Sequence, residues 1–223
     1  MHNVKMEFYR KYKSFTIFYS FVFLANITFF TVLTEYRMVS KPMIMASLIG
    51  FYISTVSKQS NGFIMAMIFA LFGDIFLMMK GEDFFLLGLG SFLLMQVFYA
   101  AEFYQDRTTD RKSIIIKSLP VMIITCSTLM FLWDKLGEMR WPVFIYALAI
   151  STMIITALIR KPQIRWYLPV VVGVILFMLS DIALAVSKFD QMTDLSIQYF
   201  VMATYMIAQY LIVRGKVEQS NSY

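Results

Sequence analysis

The chain has 223 residues, 59% hydrophobic and 15% charged, with 22 Phe, 18 Met and a formal net charge of +6. Soluble domains are about 45–50% apolar and about 25% charged, so this composition excludes an ordinary soluble globule and describes an integral membrane protein. One cysteine (Cys126) and one histidine (His2) exclude a disulfide framework, thiolate metal clusters, His-based metal sites and Ser-His triads.

Apolar stretches near the roughly 20-residue spanning length recur eight times along the chain. They fall at about 14–33, 42–57, 62–79, 84–104, 113–133, 142–159, 167–187 and 195–214. Lys5, Arg10, Lys11 and Lys13 precede the first stretch as they would in a signal peptide. That stretch is long and Phe-rich and lacks a small-x-small cleavage site, so it reads as a retained helix. The second and sixth stretches are short, and Pro42 and Pro142 fit the first turns of their helices, where a missing N–H costs nothing. Linkers such as SKQSN at 57–61 and YQDRTTDRK at 104–112 are short and polar, and only the closing EQSNSY reads as disordered.

If the spans alternate, fourteen of the 20 Lys and Arg fall on one side and six on the other. The positive-inside rule then puts both termini in the cytoplasm, with the plasma (inner) membrane as the expected location. Trp133, Trp141 and Trp166 fall at helix ends, as interfacial anchors do. The net charge is thereby a topology signal, and no nucleic-acid partner is needed to explain it.

Two aspartates interrupt this pattern: Asp74 in FALFGDIFLMM and Asp181 in LFMLSDIALAV, 107 residues apart in matching contexts. Ionisable groups at membrane depth are costly and mark functional sites by default. The two lie on the third and seventh spans, so their helices run the same way. The expected fold is therefore an all-α, multi-pass bundle of eight transmembrane helices. It forms one integral domain, 1–223, with a four-plus-four parallel repeat of halves about 1–110 and 111–223. If the two carboxyls approach each other they could share one proton, giving one general acid and one ionised partner. The structural alternative is that each accepts hydrogen bonds and locks helix packing.

The span after each aspartate carries amides and phenols: Gln96 and Tyr99 on the fourth, Gln198, Tyr205 and Gln209 on the eighth. These could orient the carboxylates or position a water, and they serve equally as glue between helices. Gly88, Gly90 and Ser91 permit close helix approach. Lys41 and Arg140, on the aspartate side, could hold a lipid phosphate or simply snorkel to the interface. There is no nucleotide loop, no nucleophile elbow and no zinc motif, and neither cofactor nor metal is expected.

The run GDIFLMMKGEDFFLLGLGSFLLMQVFY, the later LSDIALAV, the KP at 41–42, the EMRWPV at 138–143 and the closing YMIAQYLIVR resemble the YhhN family of lysoplasmalogenase-like membrane proteins. The resemblance covers essentially the whole chain. It implies hydrolysis of the vinyl ether bond of lysoplasmalogens to a fatty aldehyde and a glycerophospho-headgroup product, without metal or cofactor. The substrate would be a lysophospholipid from the bilayer. Asp74 and Asp181 match the family's acidic positions, Lys41 the Lys of its Lys-Pro pair, and Tyr99 the Tyr after the fourth-span polar position. Gln96 and Gln209 depart from it, since some relatives carry His there. Two alternatives stand beside this reading. One is a small proton-coupled transporter, although Pro and Gly breaks are missing from mid-span. The other is a non-catalytic lipid-binding membrane protein.

Overall fold

The structure is a computed structural model that describes residues 2–31, 37–108, 110–161, 166–190 and 194–220. Among these residues it holds eight α-helices: α1 His2–Thr31, α2 Arg37–Thr55, α3 Asn61–Phe76, α4 Glu82–Tyr104, α5 Arg111–Leu132, α6 Arg140–Leu158, α7 Tyr167–Phe189 and α8 Leu195–Ser220. Each matches one expected apolar stretch, in order. Helices α4 to α8 are long and apolar enough to cross a membrane, whereas α3 is apolar but only 16 residues long. The protein is an all-helical integral membrane protein.

Local chemistry sets several of the helix ends. The Asp110 side chain accepts hydrogen bonds from the Lys112 and Ser113 amides and starts α5, and Ser60 accepts from the Phe63 amide at the start of α3. Pro142 is the third residue of α6, in the first turn as expected. Pro42 is not in a first turn. Helix α2 starts at Arg37, so the proline lies in its second turn. The closing tail also departs from expectation, because Glu218 to Ser220 continue α8 rather than fray. Glu218 pairs with Arg214 one turn back, and Gln219 bonds Arg160 and Asp106. Residues 221–223 lie outside the described residues.

Side-chain contacts give the helix directions. Along α3 and α4, Gly62 meets Glu102, Gly73 meets Phe92 and Gly88 meets Leu77, so the pair is antiparallel. Along α7 and α8, Gly215 meets Val170, Gly173 meets Ile212, and Ser180 bonds the Val201 carbonyl, so that pair is antiparallel too. A Cβ at Gly73 would lie 2.7 Å from the Phe92 ring, and one at Gly88 2.7 Å from Leu77. These two glycines bring α3 and α4 together. Gly90, expected to help, faces open space. Across the bundle, Tyr205 reaches Asp74, Gln209 reaches Tyr99 and Lys216 reaches Glu102, which aligns α8 parallel to α4. Both aspartates therefore lie toward one end of the bundle, and the Glu102–Lys216 pair lies at the other.

The main core is a single cluster drawn from all the helices, with Ile44, Met67, Met95, Met153, Val174 and Ile212 at its centre. Helix α5 is the outlier. Only 11% of its apolar stretch is buried, against 39–44% for the other four long spans, so α5 sits at the periphery of the bundle.

Candidate functional site

Asp74 comes off the last turns of α3 and is sealed in the core, with 1% of its surface exposed. Its Oδ2 accepts a hydrogen bond of 2.7 Å from the Tyr205 hydroxyl of α8, and its Oδ1 lies 3.6 Å from the Lys41 Nζ of α2. The Tyr205 ring in turn packs edge-on against Phe92 at 5.9 Å and tilted against Phe177 at 5.9 Å. Lys41 thus has a carboxylate partner. Arg140, the other cation considered for a lipid phosphate, donates to the Trp133 carbonyl at 3.1 Å and sits by the Trp133 ring.

Asp181 has a different setting. It lies in the wall of an apolar cavity of about 90 Å³ between α4, α5, α6 and α7. The lining is mostly leucines, alanines and phenylalanines, and Asp181 is its only carboxylate. The aspartate is half-buried rather than sealed. The Tyr146 hydroxyl of α6 donates to its Oδ2 at 2.5 Å, which leaves Oδ1 for another partner. Sequence reasoning missed Tyr146, although it stands one helical turn after Pro142 in RWPVFIY. A phenol one turn below a helix-opening proline, facing the next span's aspartate, was the available signal.

The amides are one or two turns deeper. Tyr99 donates to Gln209 Oε1 at 3.1 Å, and Gln209 Nε2 lies 3.4 Å from the Met95 sulfur, which ties α4 to α8. Gln96 is fully buried beside the Tyr146 hydroxyl, yet neither of its amide atoms completes a hydrogen bond of ordinary geometry. The structure therefore gathers Lys41, Asp74 and Tyr205 in one group, and Tyr99 with Gln209 in a second. Asp181, Tyr146 and the neighbouring Gln96 form a third. No hydrogen bond joins the two aspartates. Phe92 stands between their surroundings, since it touches Gly73 and Tyr205 on one side and lines the cavity on the other.

Among the described residues, no three Asp, Glu, His or Cys side chains gather to hold a metal ion. The chemistry open to the cavity is that of a carboxyl held by a phenol in an apolar wall. Such a group can pass a proton to a bound apolar molecule and take it back from water.

Fold and site together define a helical membrane protein with two carboxylates set among its apolar helices, one of them facing an apolar cavity. A family model for the YhhN family matches residues 36–216, and the chain belongs to that family. It is also 27% identical over 157 residues to human "Lysoplasmalogenase TMEM86A", an alignment covering 68% of this chain. The alignment spans 63% of that relative's length. No solved structure matches the chain.

Proposed function

We propose that this protein is a membrane-embedded lysoplasmalogenase. It hydrolyses the vinyl ether bond of a lysoplasmalogen to a fatty aldehyde and a glycerophospho-headgroup product, by general acid catalysis from Asp181 with Asp74 in support. The observation that carries the reading is Asp181, a half-buried carboxyl in the wall of an otherwise apolar cavity. Family membership and the name of the human relative point to the same bond.

An enol ether reacts by proton transfer to its β-carbon. The alkene's electron pair forms the new C–H bond, and the ether oxygen shares the positive charge as an oxocarbenium ion. Water adds to the charged carbon and gives up a proton, and the resulting hemiacetal breaks its C–O bond to release aldehyde and alcohol. In this scheme the protonated Asp181 delivers the first proton. As a carboxylate it then faces the cation it has made, and it recovers a proton from the attacking water. Tyr146 holds Oδ2 and leaves Oδ1 for the alkene.

Asp74 serves the reaction at one remove. Its bonds to Lys41 and Tyr205 fix the Tyr205 ring, which fixes Phe92, and Phe92 is cavity wall. Matching neighbours support a repeat relating the two sites. Asp74 takes a partner from the preceding helix, α2, and one from α8, while Asp181 takes Tyr146 from the preceding helix, α6, and has Gln96 of α4 nearby.

The test is purified protein in mixed micelles with a lysoplasmalogen, followed by aldehyde release. Turnover by the wild type is expected. Full activity in Asp181→Asn rules out the carboxylate mechanism.

A further inference from the structure

Past Asp181, the same face of α7 continues along the cavity through Ile182 and Ala185 to Phe189. Phe189 meets Phe85 of α4 edge-on at 6.0 Å. Both rings line the cavity and both are only half-buried, so they form its rim. Lys188 stands on this rim, exposed, with its Nζ 4.9 Å above the Phe85 ring. A neighbouring cation, Lys135, is already matched by Asp190 at 2.5 Å. Lys188 takes part in none of the ion pairs among the described residues.

We propose that Lys188, shelved on Phe85 at the cavity rim, holds the phosphate of the substrate's glycerophospho-headgroup. The proposal rests on the hydrolase reading and adds to it where the charged end of the lipid goes. Distance supports it. Asp181 and Lys188 are seven residues apart, two helical turns on nearly the same face, or about 10 Å along the axis at about 1.5 Å per residue. In the lipid, seven bonds run from the vinyl β-carbon through the ether oxygen and glycerol to phosphorus. With bonds of about 1.5 Å in an extended zigzag, that span is roughly 9 Å. A lipid with its β-carbon at Asp181 therefore presents its phosphate at Lys188.

Chemistry supports it too. A flexible ammonium with three donors is a good point-charge partner for a phosphate. The ring beneath it holds the ammonium by a cation–π contact without neutralising it. The arrangement also explains how one site handles both ends of an amphiphile: the chain stays among apolar side chains and the headgroup stays at the interface. A neutral alkenyl glycerol gains nothing from Lys188, so the residue selects phospho-lipids over their dephosphorylated counterparts.

The experiment separates this proposal from the activity itself by using a non-cleavable probe. A saturated 1-O-alkyl lysophospholipid and the matching neutral 1-O-alkyl glycerol are titrated into the full-length protein in neutral detergent. Wild type, Lys188→Gln, Lys188→Arg and Lys80→Gln are compared, Lys80 being an exposed lysine of the α3–α4 connection outside the cavity lining. Lys188→Gln is expected to weaken phospholipid binding roughly tenfold, Lys188→Arg to restore most of it, and Lys80→Gln to leave it unchanged. The neutral glycerol ether is expected to bind all four alike. Equal phospholipid affinity in wild type and Lys188→Gln overturns the proposal, as does an equal loss in Lys80→Gln, which would reveal only diffuse surface charge. A wild type that binds the probe through Lys188 but releases no aldehyde from a lysoplasmalogen defeats the hydrolase reading and leaves the phosphate site standing.

Discussion

Asp74 and Asp181 sit in nearly the same five-residue context, yet the bundle treats them differently. Asp74 is closed off, paired with a lysine and bonded to a tyrosine. Asp181 has one phenol and opens into a cavity. The lesson is that a shared motif fixes where a carboxylate enters the core, while the helices packed on it decide its job. In the first half, α2 brings Lys41 to the aspartate. In the second half, α6 brings Tyr146 and the peripheral α5 leaves a space beside it.

The comparison can be broken most directly at Asp181. Asp181→Asn keeps the shape of the side chain but removes the transferable proton, and aldehyde release is expected to fall roughly a thousandfold, within the range for general acids. Thermal unfolding in detergent should stay close to wild type. If Asp74→Asn causes the larger loss of turnover with stability preserved, the roles assigned to the two are reversed.

Lys41→Met attacks the sealed site. It strands a buried carboxylate, and the expected destabilisation is roughly 3 kcal/mol, read as a drop in thermal midpoint. A variant as stable as wild type would mean that the Lys41–Asp74 pair does not hold α2 to α3. Gly73→Ala tests the link between the sites, because its new methyl meets the Phe92 ring. Overpacking of this kind costs about 1–3 kcal/mol. Displacement of Phe92 into the cavity should raise KM for the lipid more than it lowers kcat. The smallest effect on turnover is expected for Tyr146→Phe, with a stability cost of about 1 kcal/mol for one hydrogen bond. Turnover should drop about tenfold as Asp181 loses its orientation. Unchanged turnover there would free Asp181 from any dependence on its phenol.

The helices were legible because the apolar runs have the length of the elements they form and polar linkers bracket them. The errors lie where polar side chains override that signal. Helix α2 starts before Pro42, since a proline in the second turn removes only its own backbone hydrogen bond and leaves the rest of the ladder intact. Glu218 and Gln219 looked like tail residues because their partners, Arg214, Arg160 and Asp106, are scattered along the chain. Within the site, Asp74, Asp181 and Tyr205 stood out as polar groups in apolar helices. Which of them meet depends on how α8 crosses α3 and how α6 crosses α7, and no local pattern encodes that. Tyr146 was hidden for a simpler reason: with 13 tyrosines in the chain, a phenol near a helix end carries no distinguishing signal.

The exposed position of α5 has a consequence for how such a protein meets its substrate. Thr125, Thr128, Leu129 and Leu132 of α5 line the cavity, while Ile116, Leu119 and Ile123 on the helix's outer side are exposed apolar surface. One helix thickness separates the cavity from the outer surface of the bundle. For a lysoplasmalogenase built this way, the concentration that governs saturation is the mole fraction of the lipid in the membrane plane. Diluting the substrate with inert lipid then slows turnover even when the total amount per volume is unchanged.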